Sequence, residues 1–253
     1  MSKMEIKEAI DRYAASVGLE RLNVRAALID MDGVLYDSMK NQTAAWYRMA
    51  TEAGIECTRE EFYLYEGMTG AKTINHIFRR TFGHDCDPDE ITRLYALKAG
   101  YFTQMGEPAM MPGAARMLAT LRDSGVKRVL VTGSAQQNVI DRISRDYPGM
   151  FPQECRVTAR DVKLGKPNPE PYLMGAAKAG CPPTECMVVE NAPLGIKAGK
   201  AAGAFVVGIT TGPIPEPEMW NAGADLVFPS MPGFADALPD ILRLAKLWST
   251  GKK

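Results

Sequence analysis

Short, almost continuously apolar segments recur along the chain, each ending close to a polar residue. They cover residues 26–30, 128–132, 187–190, 205–209 and 225–228. Continuous apolar runs are typical of strands buried on both faces of a parallel sheet. Segments with helical character lie between them, at 114–124, 169–180 and 193–202. This alternation predicts an α/β fold with a doubly wound parallel sheet.

The stretch from 39 to 111 departs from this pattern. Its apolar residues follow helical spacing and it has little strand character, although it lies between the first and second predicted strands. We interpret it as a helical cap domain, residues 39–111, inserted into a core formed by residues 1–38 and 112–253.

Two helix starts can be recognised inside this block. Thr58 is followed three residues later by Glu61, which is the spacing of a capping box. Asp87 and Pro88 supply an N-cap and a first-turn proline, and Glu90 is placed to reach back as the reciprocal acid.

The N-terminal segment also shows helical periodicity. Its apolar positions are Ile6, Ile10, Tyr13 and Val17. Gly18 follows as a stop signal. We expect an amphipathic helix over 3–17 that packs on the core, with docking of a partner as the alternative.

Charge and composition narrow the function classes. The 253 residues include 30 basic and 30 acidic side chains, a balance that gives no support to a nucleic-acid or membrane-surface partner. No segment approaches the roughly 20 apolar residues that span a bilayer, and the charged first dozen residues do not resemble a signal peptide. The five cysteines are odd in number and form no C-x-x-C pair, which favours reduced thiols in a cytoplasmic protein.

Polar residues follow three of the predicted strands. They are Asp30 with Asp32, Thr132 with Ser134, and Glu190 with Asn191. A lysine-rich loop at 161–169 precedes one of the helices. Open α/β sheets bind ligands beyond the carboxyl ends of their strands. The pattern therefore brings a nucleophile, an acid or base, a hydroxyl donor, a cation and metal ligands to one edge.

These motifs, in this order, resemble those of the haloacid dehalogenase superfamily of phosphotransferases. The resemblance is carried by 30–38, 131–134, 165–169 and 189–195, and it extends from 26 to 228. It implies a Rossmann-like core with an inserted cap.

The resemblance also implies a role for each core residue. Asp30 would attack phosphorus, and Asp32 would protonate the leaving oxygen and later deprotonate water. Thr132 would hydrogen-bond a phosphoryl oxygen, and Lys166 would offset negative charge. Gly133 and Ser134 would contact the substrate. Mg²⁺ would be held by Asp30, the backbone carbonyl of Asp32, and Asn191, with Glu190 orienting these ligands or Lys166.

Ordinary structural roles remain as alternatives at this point. Asp30 and Asp32 are also typical capping or turn acids, and Thr132 is a common strand-end residue. Lys163 is a second candidate for the lysine of the third motif, although the Gly-Lys-Pro context favours Lys166.

The cap sequence is similar to that of bacterial inorganic pyrophosphatases in the β-phosphoglucomutase-like subgroup. This likeness implies that Glu66 reaches the metal, in compensation for the neutral Asn191, and that Tyr95 and Lys98 hold the leaving phosphate. Met68 departs from the pyrophosphatase pattern, which has an arginine there. The mutases carry a lysine and an arginine at the positions of Glu66 and Gly70, and neither is present.

The resulting expectation is a Mg²⁺-dependent phosphohydrolase that acts on pyrophosphate or a similarly small phosphate, as a monomer or weak homodimer. A sugar- or nucleotide-phosphate phosphatase and a phosphomutase are the alternatives within the superfamily. A non-catalytic binding protein is the alternative from another functional class. The presence of both Asp30 and Lys166 argues against it.

Overall fold

The computed structural model describes residues 2–135 and 137–246. In this part of the chain a six-stranded sheet has the order β3-β2-β1-β4-β5-β6, with every neighbouring pair parallel. The strands are β1 (Ala26–Ile29), β2 (Lys127–Val131), β3 (Arg156–Val157), β4 (Cys186–Glu190), β5 (Phe205–Ile209) and β6 (Leu226–Phe228). The predicted α/β class and parallel sheet are confirmed.

Helices connect the strands and also form the block between β1 and β2. They are α1 (Lys3–Ser16), α2 (Met39–Glu52), α3 (Glu61–Leu64), α4 (Gly70–Phe82), α5 (Pro88–Gln104), α6 (Ala114–Asp123), α7 (Gln137–Asp146), α8 (Glu170–Ala179), α9 (Pro193–Ala201), α10 (Glu216–Asn221) and α11 (Met231–Lys246). None of the described helices is long and apolar enough to cross a membrane.

Strand β1 shows why its sequence is continuously apolar. Ala27 and Ile29 pack into a cluster with α1, α6 and α11 on one face of the sheet. Ala26 and Leu28 pack into a second cluster with α8, α9 and α10 on the other face. Both faces are covered, so every position of the strand is apolar. The N-terminal helix contributes Ile6 to the first cluster, which confirms that it packs on the core.

The four helices α2–α5 enclose a hydrophobic cluster of their own. Trp46 of α2 stacks on Phe62 of α3 with ring centroids 5.9 Å apart, and Ile77 of α4 and Leu94 of α5 complete the same cluster. The capping box is present, because Thr58 and Glu61 exchange backbone-to-side-chain hydrogen bonds of 3.2 and 3.4 Å. Residues of this helical unit, among them Glu66 and Lys98, line a cavity together with Asp32, so the unit lies over the end of β1.

One helix start differs from its prediction. Asp87 caps α5 by accepting from the Asp89 amide at 2.8 Å, and Pro88 is the first helical residue, as predicted. Glu90, expected to reach back to Asp87, instead accepts two hydrogen bonds of 2.7 Å from Arg93. A guanidinium one turn further along offers the carboxylate a bidentate, charged partner.

Candidate active site

The carboxyl ends of three neighbouring strands bring the predicted core residues together. Asp30 follows β1 and donates its amide to Val189 of β4 at 3.1 Å, and Thr132 follows β2 and donates its amide to Val157 of β3 at 2.9 Å. Asp30, Asp32, Thr132, Lys166, Glu190 and Asn191 are all buried. Burying charged and polar groups is costly unless they have partners. A group of six such residues at one edge of the sheet therefore indicates a functional site.

Lys166 is the cation of this site. Its Nζ lies 2.5 Å from Asp30 Oδ1, 2.5 Å from Glu190 Oε1 and 3.3 Å from the Val131 carbonyl. Lys163, the alternative from the sequence, is exposed. The structure therefore brings Lys166, and not Lys163, to the proposed nucleophile.

Burial and neighbouring charges have opposite effects on the pKa values of Asp30 and Lys166. Burial raises the pKa of Asp30 well above its ordinary value, and the Lys166 ammonium opposes that rise. Burial also works against the charge on Lys166, but Asp30 and Glu190 outweigh it and raise the pKa of Lys166. The Asp30 carboxylate thus depends on neighbouring cations to stay ionised.

Both carboxylate oxygens of Glu190 accept hydrogen bonds. Oε1 accepts from the Tyr172 hydroxyl at 2.6 Å in addition to Lys166, and Oε2 accepts from the amides of Asn191 and Ala192 at 3.0 and 3.2 Å. Gly195 leaves space for the carboxylate, since a Cβ there would lie 1.9 Å from Oε1. A carboxylate fixed in this way orients Lys166 toward Asp30.

Asp32 is oriented from the cap side. Its Oδ1 accepts from the Ser38 hydroxyl, in the segment that leads into the cap, and from Gln42 Nε2 of α2 at 3.0 Å. Gln42 Oε1 in turn accepts from Lys98 of α5. The sequence patterns assign no role to Ser38, Gln42 or Tyr172. Gln42 follows Ser38 by one turn and is buried, but its local sequence does not indicate which core residue it contacts.

Asn191 has the features of a metal ligand. Among the described residues its Oδ1 is a buried oxygen without a hydrogen-bond partner. Gly33, with φ of 75°, makes room for its side chain, because a Cβ there would lie 2.0 Å from Asn191 Nδ2. The Asp30 carboxylate, the Asp32 carbonyl and this amide oxygen are hard oxygen donors that suit Mg²⁺.

The described part of the chain contains no cluster of three or more His, Cys, Asp or Glu side chains arranged around one point. The donor set predicted from the sequence does not require such a cluster, because it includes an amide oxygen and a backbone carbonyl. The residues present fit a magnesium ion.

Thr132 and the loop after it lie at the mouth of the site. Thr132 Oγ1 accepts from the Ser134 amide at 3.1 Å, which fixes the hydroxyl oxygen and leaves its proton for another acceptor. Gly133 and Ser134 line a cavity between core and cap. The family resemblance implies that the substrate binds there.

The cap completes this cavity with Glu66, Tyr95 and Lys98 opposite Asp32. Burial, with the charge of Asp32 adding to it, raises the pKa of Glu66 to about 8. Burial lowers the pKa of Lys98 to about 8. The structure thus brings together all the site residues predicted from the sequence.

Comparison with protein families identifies the fold and its motifs. The model of the haloacid dehalogenase-like hydrolases matches residues 24–203, which contain the strand-end residues described above. The chain belongs to this family. The superfamily proposed from the sequence is therefore correct.

Named relatives in the family cover most of the chain. Hexitol phosphatase A of Escherichia coli is 32% identical over 74% of this chain and 84% of its own length. Validoxylamine A 7'-phosphate phosphatase of Streptomyces hygroscopicus is 29% identical over 74% of this chain and 86% of its own. A solved structure from Bacteroides vulgatus, provisionally named a β-phosphoglucomutase, is 43% identical, covers 97% of this chain and 100% of its own, and superposes with a TM-score of 0.94.

Proposed function

We propose that this protein is a Mg²⁺-dependent phosphatase that transfers the phosphoryl group of a small phosphate compound to Asp30 and then to water. The observation that carries the proposal is the position of Lys166, whose ammonium lies 2.5 Å from both Asp30 and Glu190. A cation fixed beside the nucleophile offsets the negative charge that the approaching phosphate and the carboxylate share.

The reaction has two balanced steps. In the first, an Asp30 carboxylate oxygen bonds to phosphorus, the bond from phosphorus to the leaving oxygen breaks, and Asp32 donates a proton to that oxygen. In the second, Asp32 takes a proton from water, the water oxygen bonds to phosphorus, and the Asp30–phosphorus bond breaks. Phosphate is released and both side chains return to their initial states.

The proposed function includes a bound Mg²⁺ ion. Asp30, the Asp32 carbonyl, Asn191 and, from the cap, Glu66 are the candidate ligands. A divalent ion there supplies positive charge that keeps Asp30 ionised and offsets the charge of the substrate.

The charged lining of the cavity favours a small anionic leaving group. Glu66 and Lys98 line the space together with Asp32. Inorganic pyrophosphate, whose leaving group is phosphate, is our first candidate from the site itself. Lys98 and Tyr95 would contact that leaving phosphate.

The relatives favour a second candidate. Hexitol phosphatase A and validoxylamine A 7'-phosphate phosphatase act, by their names, on phosphates of polyols and of a sugar-like compound. A sugar or polyol phosphate is therefore the substrate class with the stronger support from related proteins. Mutase activity has less support, because the Tyr95 ring fills the space beside Gly70, where a Cβ would lie 2.2 Å from the ring.

Phosphate release from a substrate panel tests the proposal. Purified protein with Mg²⁺ is assayed with pyrophosphate, sorbitol 6-phosphate, glycerol 1-phosphate and β-glucose 1-phosphate. We expect release from at least one compound, abolished by a metal chelator. Release that persists in Asp30→Asn, or no release from any compound, would contradict the proposed function. The ranking of pyrophosphate against the polyol phosphates decides between the two candidates.

A further inference from the structure

One cap loop packs against two core loops at positions where the core residue is glycine. A Cβ added to Gly165, in the loop before Lys166, would lie 2.7 Å from Thr69 Cγ2 and 3.2 Å from the Thr69 amide nitrogen. A Cβ added to Gly133 would lie 3.2 Å from the Gly67 carbonyl and 3.3 Å from the Met68 carbonyl. We refer to these five residues as the cap–core contact. Both core loops have glycine at the point of contact, and the missing Cβ atom allows the cap backbone to approach this closely.

The same contact reaches the catalytic cation. Gly67 faces the aliphatic stem of Lys166, and a Cβ at Gly67 would lie 2.9 Å from Lys166 Cδ. Glu66, the adjacent residue, lines the cavity with Asp32. The depth to which the cap closes therefore sets the space left above Asp30 and Asp32.

We infer that the contact between Gly165 and Thr69 sets the size limit on the leaving group. This inference rests on the proposed function. With glycine at 165 the cap loop at Thr69 packs directly against the core loop that carries Lys166, and this close approach favours a compact leaving group over a bulky one. A side chain at 165 holds the cap further out, so that the cavity is larger and Glu66 and Lys98 lie further from the reacting group.

Gly165→Ala is the direct test. Gly165 does not have a positive φ, so alanine meets no backbone strain there and its effect comes from the contact with Thr69. We expect kcat/KM for pyrophosphate to fall about tenfold, as for a lid that no longer closes fully, and kcat/KM for sorbitol 6-phosphate to fall less or to rise. The ratio of the two values is the readout, because a general loss of folded protein lowers both equally.

A second variant removes the obstructing atom. Thr69→Ser deletes Cγ2 and keeps the hydroxyl that accepts from the Lys72 amide at 3.4 Å and caps α4. In the double variant Gly165→Ala with Thr69→Ser we expect the selectivity ratio to return part of the way to the wild-type value. Direct damage to the neighbouring Lys166 would not be repaired by this change.

Gly100→Ala is the matched control. Gly100 is exposed on α5, and a Cβ there would meet no atom within 4 Å. It introduces the same methyl group into the cap away from the core, and we expect an unchanged ratio.

Hydrogen exchange supplies a readout that does not depend on substrate. Peptides covering 65–70 are expected to exchange faster in Gly165→Ala than in wild type, and at an intermediate rate in the double variant. An active wild type whose selectivity ratio and exchange are both unchanged by Gly165→Ala would overturn the inference and leave the proposed function intact. A wild type inactive on every phosphate would refute the proposed function, and the size limit with it.

Discussion

Gln42, on the first helix of the cap, donates a hydrogen bond of 3.0 Å to Oδ1 of Asp32 in the core. The proposed acid–base residue is thus oriented by a side chain of the helical cap. Since Gln42 also accepts from Lys98, which lines the cavity, one amide joins the acid–base residue to a cation of the cap. Closing of the cap and positioning of Asp32 are therefore expected to occur together.

Replacing Gln42 tests this link. Gln42→Met keeps the length of the side chain and removes both hydrogen bonds, so Asp32 loses one of the donors that orient it. We expect kcat to fall about tenfold, a fraction of the full contribution of general acid–base catalysis, with a smaller change in KM. Steady-state phosphate release measures both constants.

Gln104→Met is the control for this variant, because Gln104 is exposed at the end of α5. It makes the same change without contact to Asp32. Equal kcat values for Gln42→Met and Gln104→Met would show that Gln42 does not position the acid–base residue.

Glu66 is expected to contribute to magnesium binding. Glu66→Gln replaces a carboxyl group that can ionise to bind Mg²⁺ with an amide that cannot, and the concentration of Mg²⁺ that gives half-maximal activity should rise by more than about tenfold. A titration of activity with Mg²⁺ measures this. Glu60→Gln, which makes the same change at an exposed position of the cap, should leave the titration unaltered. Superimposable curves for the two variants would show that Glu66 does not contribute to Mg²⁺ binding.

Glu190 is expected to stabilise the fold as well as to orient Lys166. Glu190→Ala leaves the buried ammonium with one carboxylate instead of two and removes the acceptor of two amides, so the free energy of unfolding should fall by roughly 3 kcal/mol. Tyr172→Phe removes a single hydrogen bond of 2.6 Å to Glu190, and should cost about 1 kcal/mol. Urea denaturation measures both, and the reverse order of the two losses would argue against this account.

Asp30→Asn should abolish turnover, with a loss of about 10⁴-fold as for other nucleophiles that act as part of a unit, and leave the circular dichroism spectrum unchanged. Asp37→Asn alters an exposed aspartate of the same motif and serves as its control. Phosphate release near the wild-type rate in Asp30→Asn would exclude the assigned nucleophile.

The sequence was informative where one local pattern decides the outcome. Five strands were located to within one residue, because both faces of each are buried and the apolar run is continuous. The strand β3, Arg156–Val157, was missed because two residues carry no periodicity. The strand-end residues of the site could be predicted because parallel strands end at one edge.

Residues that reach the site from helices could not be located in this way. Gln42 reaches Asp32 from α2 of the cap, and Tyr172 reaches Glu190 from α8, so both contacts depend on how these helices pack in the folded protein. Neither residue differs in its local sequence from an ordinary buried polar side chain. The motifs do not identify the substrate for a similar reason, because the core residues act on the phosphoryl group that all the candidate substrates share.

The most direct test of the central claim is to trap the phosphorylated protein. Enzyme turning over its best substrate with Mg²⁺ is quenched with borohydride, which reduces an acyl phosphate on aspartate to homoserine, and its peptides are analysed by mass spectrometry. We predict homoserine at position 30, dependent on substrate and Mg²⁺. Homoserine at another carboxylate, with Asp30 unmodified, would contradict the assignment of Asp30 as the nucleophile.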